Sequence, residues 1–174
     1  LDYATQTVLR QDYGDWEIIV SDNDSEEDVE GLCRSLGDER VKYFRTSEFV
    51  PVTDNWNNAL VHSTGEYVIM LGDDDALMKG HLSTMARLIE EYDAPDLIYT
   101  GAYIFAYPGV LPDHPDGYLQ SNCNPLFSSK EPFWLPRVQG RALAEQAMRL
   151  RMPVTFNMQH SVISRRFIDS LAAW

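Results

Sequence analysis

The sequence predicts an α/β domain with a mostly parallel central sheet, and three observations lead there. Short apolar runs alternate with amphipathic helical patterns over the first hundred residues, the order that builds parallel sheets through helical crossovers. Two of the runs end in acidic clusters, Ser21-Asp22-Asn23-Asp24-Ser25 and Gly72-Asp73-Asp74-Asp75. Ligands of open α/β sheets bind outside the carboxyl ends of the strands, where both clusters fall.

Each element has its own signal. Leu1, Ala4, Val8 and Leu9 follow helical spacing, so the chain opens within a helix. Domains of this class ordinarily open on a strand, which is therefore expected ahead of Leu1. Residues 11–15 read as a turn and 16–20 as a strand whose buried part is Ile18, Ile19 and Val20. Val29, Leu32, Cys33 and Leu36 form the apolar stripe of the next helix, capped by Asp24 or Ser25 with Glu26, Glu27 and Asp28 as an acidic first turn. After the turn at 37–40, residues 41–45 form a strand. Residues 54–62 read as a short helix with Trp56, Ala59 and Leu60 inward.

Five apolar residues from Tyr67 to Leu71 suit a strand buried on both faces. Residues 80–92 are an amphipathic helix carrying Leu82, Met85, Ala86 and Ile89 on one face. Residues 96–100 and 103–107 read as strands. Residues 108–136 hold six prolines and read as one long loop. Its Tyr118, Phe127, Phe133 and Trp134 either line an acceptor pocket or pack the loop onto the domain. A helix over 140–151, an extended stretch over 155–164 with His160 near its middle and a helix from Arg165 to the end complete the chain; His114 finds no partner in sequence.

At 174 residues the chain is long enough for one domain with a single core. A net charge of −13 argues against nucleic acid as a partner. That charge is uneven: residues 1–129 hold 7 Lys/Arg against 24 Asp/Glu, whereas 130–166 hold 7 against 2. A basic half beside an acidic half suits an anionic substrate held through a cation; a solvated basic face explains it equally well. No apolar run reaches the ~18 residues of a membrane-spanning helix. Cys33 and Cys123 have no metal-ligand spacing, and a reduced, cytoplasmic setting is the expectation.

Three adjacent carboxylates repel one another unless paired, and a hard divalent cation is the simplest relief. Capping by Asp75 accounts for one of the three. Asp22 closes its strand, where a carboxylate can accept from a base N–H or a ribose hydroxyl. Asn55 and Asn57 either orient a ligand or cap and solvate their helix, and His62 reads as a surface or core-edge residue rather than a ligand.

Taken in order, residues 6–13, 16–25, 55–60 and 65–77 resemble the family 2 glycosyltransferases. The resemblance runs from residue 1 to about 100 and implies the GT-A fold, a Rossmann-like three-layer sandwich. It implies a donor-binding part over 1–107 and an acceptor-side part of the same domain over 108–174, incomplete at its C-terminal end. The implied activity is transfer of a sugar from a nucleotide-sugar donor to a hydroxyl of a polysaccharide, lipopolysaccharide or glycolipid acceptor, with inversion. Asp22 is implied to contact the base, with Asn23, Asp24, Asn55, Asn57 and Asp73 on the donor side. An Asp-any-Asp motif is implied to hold Mn2+ or Mg2+ on the diphosphate. Gly72 stands at its first position in the usual register, making Asp74 the chief ligand beside Asp73 and Asp75; a shifted register uses Asp73 and Asp75. The general base normally lies well beyond this motif. Glu131 and Glu145 lack its context, so the catalytic residue is unassigned and expected beyond Trp174. A lipid-linked acceptor implies peripheral contact with the inner face of a membrane. Two other readings stand beside this one: a non-catalytic module binding calcium or nucleotide through the same aspartates, and a sugar nucleotidyltransferase, which would want a glycine-rich basic loop near its start.

Overall fold

The computed structural model describes residues 1–121 and 161–171. The chain divides into two compact units, Leu1–Asp96 with Ile163–Trp174, and Leu97–Val162. The first unit carries α1 (Asp2–Leu9), β1 (Ile18–Asp22), α2 (Val29–Ser35), β2 (Val41–Arg45), α3 (Val52–His62), β3 (Tyr67–Ile69) and α4 (His81–Glu91). The second carries β4 (Leu97–Tyr99), β5 (Tyr103–Ala106) and β6 (Tyr118–Ser121). β7 (Ser161–Ser164) runs directly into α5 (Arg165–Ser170). The expected Cys123, Phe127, Phe133, Trp134, Glu131, Glu145, His160 and Trp174, and the helix over 140–151, lie outside the described residues.

The alternation of strands and helices is as expected; the single, mostly parallel sheet is not. Among the described residues the strands form three sheets, ordered β1-β2, β3-β7-β4 and β5-β6. β1 and β2 pair in parallel, from Ile18 opposite Val41 to Asp22 opposite Arg45, whereas β5 and β6 are antiparallel. Glu17, just ahead of β1, holds the segment entering β3. Its Oε1 accepts from the Thr64 backbone N–H, from Thr64 Oγ1 at 2.9 Å and from the Gly65 N–H at 3.0 Å. A carboxylate thus satisfies backbone donors of this segment.

The core of the first unit is small: Ala4 and Val8 of α1, Val20 of β1, Cys33 of α2, Met85 and Leu88 of α4, and Ile168 of α5. α3 packs on β1 and α2 on β2. α3 starts earlier than expected, with Pro51 at its cap position, and Trp56 is 41% exposed rather than inward. β3 ends at Ile69 and is half-buried, not buried on both faces. Its polypeptide is anchored from α5 instead, where Arg165 donates to Gly65 O at 2.8 Å and to Ser63 Oγ at 2.6 Å.

Two caps differ from expectation. α2 is capped by Asp28, whose Oδ1 accepts from the Gly31 N–H at 2.8 Å, and not by Asp24 or Ser25. Asp75 caps no helix; α4 begins at Gly80, whose φ of 75° is the left-handed geometry that glycine adopts at low cost. In the second unit, part of the supposed loop is a hairpin: residues 107–117 connect β5 to β6 through turns, with Gly109 N–H bonded to Pro115 O at 3.0 Å.

Candidate functional site

Two acidic corners stand at strand ends, and they are built differently. The first is Asp22, the last residue of β1. Its Oδ1 accepts from the Ser25 N–H at 2.9 Å and Ser25 Oγ at 2.6 Å; its Oδ2 accepts from Tyr43 Oη at 2.7 Å and from Arg45 at 3.0 Å. The side chain is 1% exposed. Desolvation pushes its pKa up, but the bonds from Ser25 and Tyr43 and the Arg45 charge outweigh it and hold the carboxyl below the usual range. Asp22 is thus an ionised, saturated carboxylate. Burial, with the Asp22 and Glu30 charges, pushes the nearby Cys33 thiol up, so it stays protonated.

The residues around Asp22 are likewise engaged. Asn23 clamps the following loop, donating to Val50 O and accepting from the Val50 N–H, each at 2.9 Å. Asp24 has a φ of 57° and pairs with Arg45 at 2.6 Å. Asn55 receives the Ser21 hydroxyl at 2.7 Å and donates to Ser21 O at 3.1 Å, fixing α3 to β1. Asn58, not singled out from sequence, donates to Ser21 Oγ at 2.8 Å. Asn57 is half-buried. So Asn23, Asp24 and Asn55 act on the protein itself in this conformation.

The second corner is the turn after β3. The Asp75 N–H bonds to Gly72 O at 3.2 Å, and Asp75 Oδ2 accepts from the Gly72 N–H at 3.2 Å. A methyl group on Gly72 would lie 2.7 Å from Asp75 Oδ2 and 2.9 Å from Asp74 Oδ1. The two carboxylates therefore flank one small space over Gly72, which only a glycine leaves open. Asp73 and Asp74 are exposed and Asp75 is half-buried. Among the described residues none of the three has a cationic partner, and no group of three or more His, Cys, Asp or Glu converges on a metal position. Two carboxylates suit Mg2+ or Mn2+ all the same, since such ions take one or two carboxylates and complete their shell with waters and phosphate oxygens. Asp74 and Asp75 are the pair that fits.

The segment behind this turn is held by α1 and the residues after it. Thr7 Oγ1 accepts the Leu77 N–H at 3.0 Å; Gln11 accepts the Leu82 N–H at 3.1 Å and donates to Met78 O at 3.0 Å. His81 opens α4; burial lowers its pKa, so it is neutral, and its Nε2 is buried with no partner among the described residues. Glu17, Tyr43 and Arg45 were missed from sequence. Arg45 meets Asp22 because it ends β2 in register with Asp22 ending β1, a register that the sequence pattern does not supply.

The sequence profile of Glycosyl transferase family 2 matches residues 1–157. The chain belongs to this family. It is 38% identical over 94 residues to the GalNAc(5)-diNAcBac-PP-undecaprenol beta-1,3-glucosyltransferase of Campylobacter jejuni, covering 52% of this chain and 30% of that protein. It is 28% identical over 119 residues to the putative colanic acid biosynthesis glycosyl transferase WcaA of Escherichia coli, covering 64% and 43%. With the UDP-Glc:alpha-D-GlcNAc-diphosphoundecaprenol beta-1,3-glucosyltransferase WfgD of Escherichia coli it shares 29% identity over 86 residues, 49% of this chain and 34% of that one. The chain thus matches less than half the length of each of these relatives. Membership implies the Rossmann-like GT-A α/β fold. No helix among the described residues is long and apolar enough to cross a membrane.

Proposed function

We propose that the chain carries the nucleotide-sugar side of a glycosyltransferase, which moves a sugar from a nucleoside diphosphate to an acceptor hydroxyl with inversion. The observation that carries the reading is the paired carboxylates of Asp74 and Asp75 over Gly72, without a cationic partner among the described residues. A divalent cation held there, Mn2+ or Mg2+, would offset the charge developing on the leaving diphosphate. The chain's own contribution is positional. Thr7 and Gln11 hold the segment that follows the aspartates, and Arg165 anchors the entry to β3. Both fix the turn before any ligand arrives, which is how binding groups keep their geometry without reordering cost.

Two of the relatives named above act on diphosphate-linked undecaprenol by their names, so a lipid-linked saccharide at a membrane surface is the acceptor class we assign to the whole protein. Residues 1–107 would then serve the donor and 108–174 the acceptor. Of the seven basic residues over 130–166, Arg165 is spent on Gly65 and Ser63, and Arg166 pairs with Asp96 at 2.9 Å.

Calorimetry tests the donor reading. UDP should bind in the presence of Mn2+ and lose at least tenfold in affinity with chelator, and Asp74→Asn should abolish the difference. Equal affinity with and without the cation would sink it.

A further inference from the structure

We propose that Thr7 and Gln11 are positioning residues that set the cation preference of the Asp74–Asp75 turn, favouring Mn2+ over Ca2+. The inference rests on the donor reading above and deepens it. Its starting point is how the turn is held from outside. On one side Asp75 is tied back to Gly72, through its own N–H and through Oδ2. On the other side only Ala76 separates it from Leu77, whose N–H donates to Thr7 Oγ1 at 3.0 Å. Asp75 is therefore fixed from both directions, and the second hold comes from a helix 70 residues away in sequence.

The chemistry of the two side chains makes that hold specific. The Thr7 hydroxyl gives its proton to Ala4 O, one turn back in α1, at 2.7 Å, a back-bond that helical threonines favour. Its oxygen is then left to act as an acceptor, and the Leu77 N–H is what it accepts. Gln11 repeats the arrangement four residues on. Its amide nitrogen donates to Thr7 O and to Met78 O, each at 3.0 Å, and its amide oxygen accepts from the Leu82 N–H at 3.1 Å. Both amide hydrogens are thus used, and one side chain ties the end of α1 to both ends of the stretch from Met78 to Leu82. Met78 and Lys79 within that stretch are exposed and Leu77 and Leu82 only half-buried, so these polar bonds, more than packing, hold it in place.

A cation feels this rigidity through its coordination shell. Mn2+ and Mg2+ suit a strict octahedron of oxygens, whereas Ca2+ accepts a larger and more flexible set. Two carboxylates held in one arrangement favour the stricter ion, and loosening them costs that ion most. Neither Thr7 nor Gln11 needs to touch the cation, because both act on Asp75 through the backbone.

Calorimetry of UDP binding to the whole chain, once with Mn2+ and once with Ca2+, tests this. The wild type should bind UDP more tightly with Mn2+. Thr7→Val keeps the branched shape and loses the acceptor, so it should cost about fivefold with Mn2+, the scale of one hydrogen bond, and less than about twofold with Ca2+. Thr7→Ser keeps the hydroxyl and should keep the wild-type preference. Amide exchange reads the same bond without any cation: the Leu77 N–H should exchange faster in Thr7→Val and not in Thr7→Ser. Gln11→Met should narrow the preference in the same direction, and it serves if the valine variant fails to fold by circular dichroism. Equal losses with both ions would assign the two side chains to folding alone and overturn the inference. So would an unchanged preference, a serine variant as impaired as the valine one, or a wild type that does not distinguish the ions. A wild type whose UDP affinity is the same with and without a cation sinks the donor reading, and this inference with it.

Discussion

The two acidic corners have similar compositions and opposite electrostatics. At β1, three neighbouring polar residues, Asp22, Asn23 and Asp24, are all bonded within the protein, and a single arginine neutralises both carboxylates. In the turn after β3, Asp74 and Asp75 crowd the space over a glycine, and among the described residues no arginine or lysine pairs with them. The lesson is that a carboxylate's role depends on its donors more than on its place at a strand end. Saturated by protein, it organises a neighbour. Left facing another carboxylate, it stays open to a ligand from outside, the role proposed above for a cation.

The largest effects should come from the open corner, and on binding rather than folding. Asp74→Asn should reduce Mn2+-dependent UDP affinity by about a hundredfold, as expected when one of two charged ligands is lost to a doubly charged ion. The melting temperature without ligand should move little, since the side chain is exposed. A large drop in melting temperature would mean that this corner, too, is structural. Gly72→Ala comes next. The added methyl would sit 2.7 Å from Asp75 Oδ2, so both carboxylates must swing aside, and Mn2+ titration by electron paramagnetic resonance should show roughly tenfold weaker binding.

Much of this was legible in the chain. β2 falls at its expected residues, because a five-residue run between Gly37 and the Thr46 loop leaves little choice of bounds. The stripe of α4 was legible in part: Met85 is buried and Leu82, Ala86 and Ile89 are half-buried, while Leu88, outside that stripe, is buried as well. β6 was not legible: its four residues sit among prolines, and only cross-strand bonds to β5 make them a strand. The occupancy of Asp22 was hidden for a related reason. Ser25 is local, but Tyr43 and Arg45 arrive through strand register, which pattern reading does not supply. Trp56 followed helical spacing yet lies exposed, because spacing fixes which residues share a face and not which face is covered.

The closed corner should respond in stability instead. Asp22→Asn keeps the shape but sets an amide against donors that expect a charge, and should cost roughly 2–4 kcal/mol in urea unfolding. The pH dependence has a definite sign. The folded pKa is depressed, so the stabilisation is complete above the unfolded value of about 3.9 and is lost as pH falls through the lower folded value. The variant should therefore show a flatter acid limb than the parent, and an unchanged limb would contradict the saturated-carboxylate description.

Glu17 sharpens the comparison from a third position, since its carboxylate is held by a lysine, a hydroxyl and two backbone donors rather than by an arginine. Desolvation works against its ionisation, but Lys42 at 2.7 Å, both Thr64 donors and the Gly65 N–H bring its pKa down to about 2. Its stabilising effect is then present above about pH 4.3, the ordinary glutamate value, and is lost as pH falls toward about 2. Glu17→Gln keeps one carbonyl acceptor for Thr64 or Gly65, so the loss at neutral pH should be smaller than at Asp22, roughly 1–2 kcal/mol. The sheets supply a second readout. If Glu17 holds the entry to β3 locally, amide exchange at Thr64 and Gly65 should rise in the variant while that of β1 and β2 holds. Uniform acceleration across the first unit would instead make Glu17 one contributor to global stability among many.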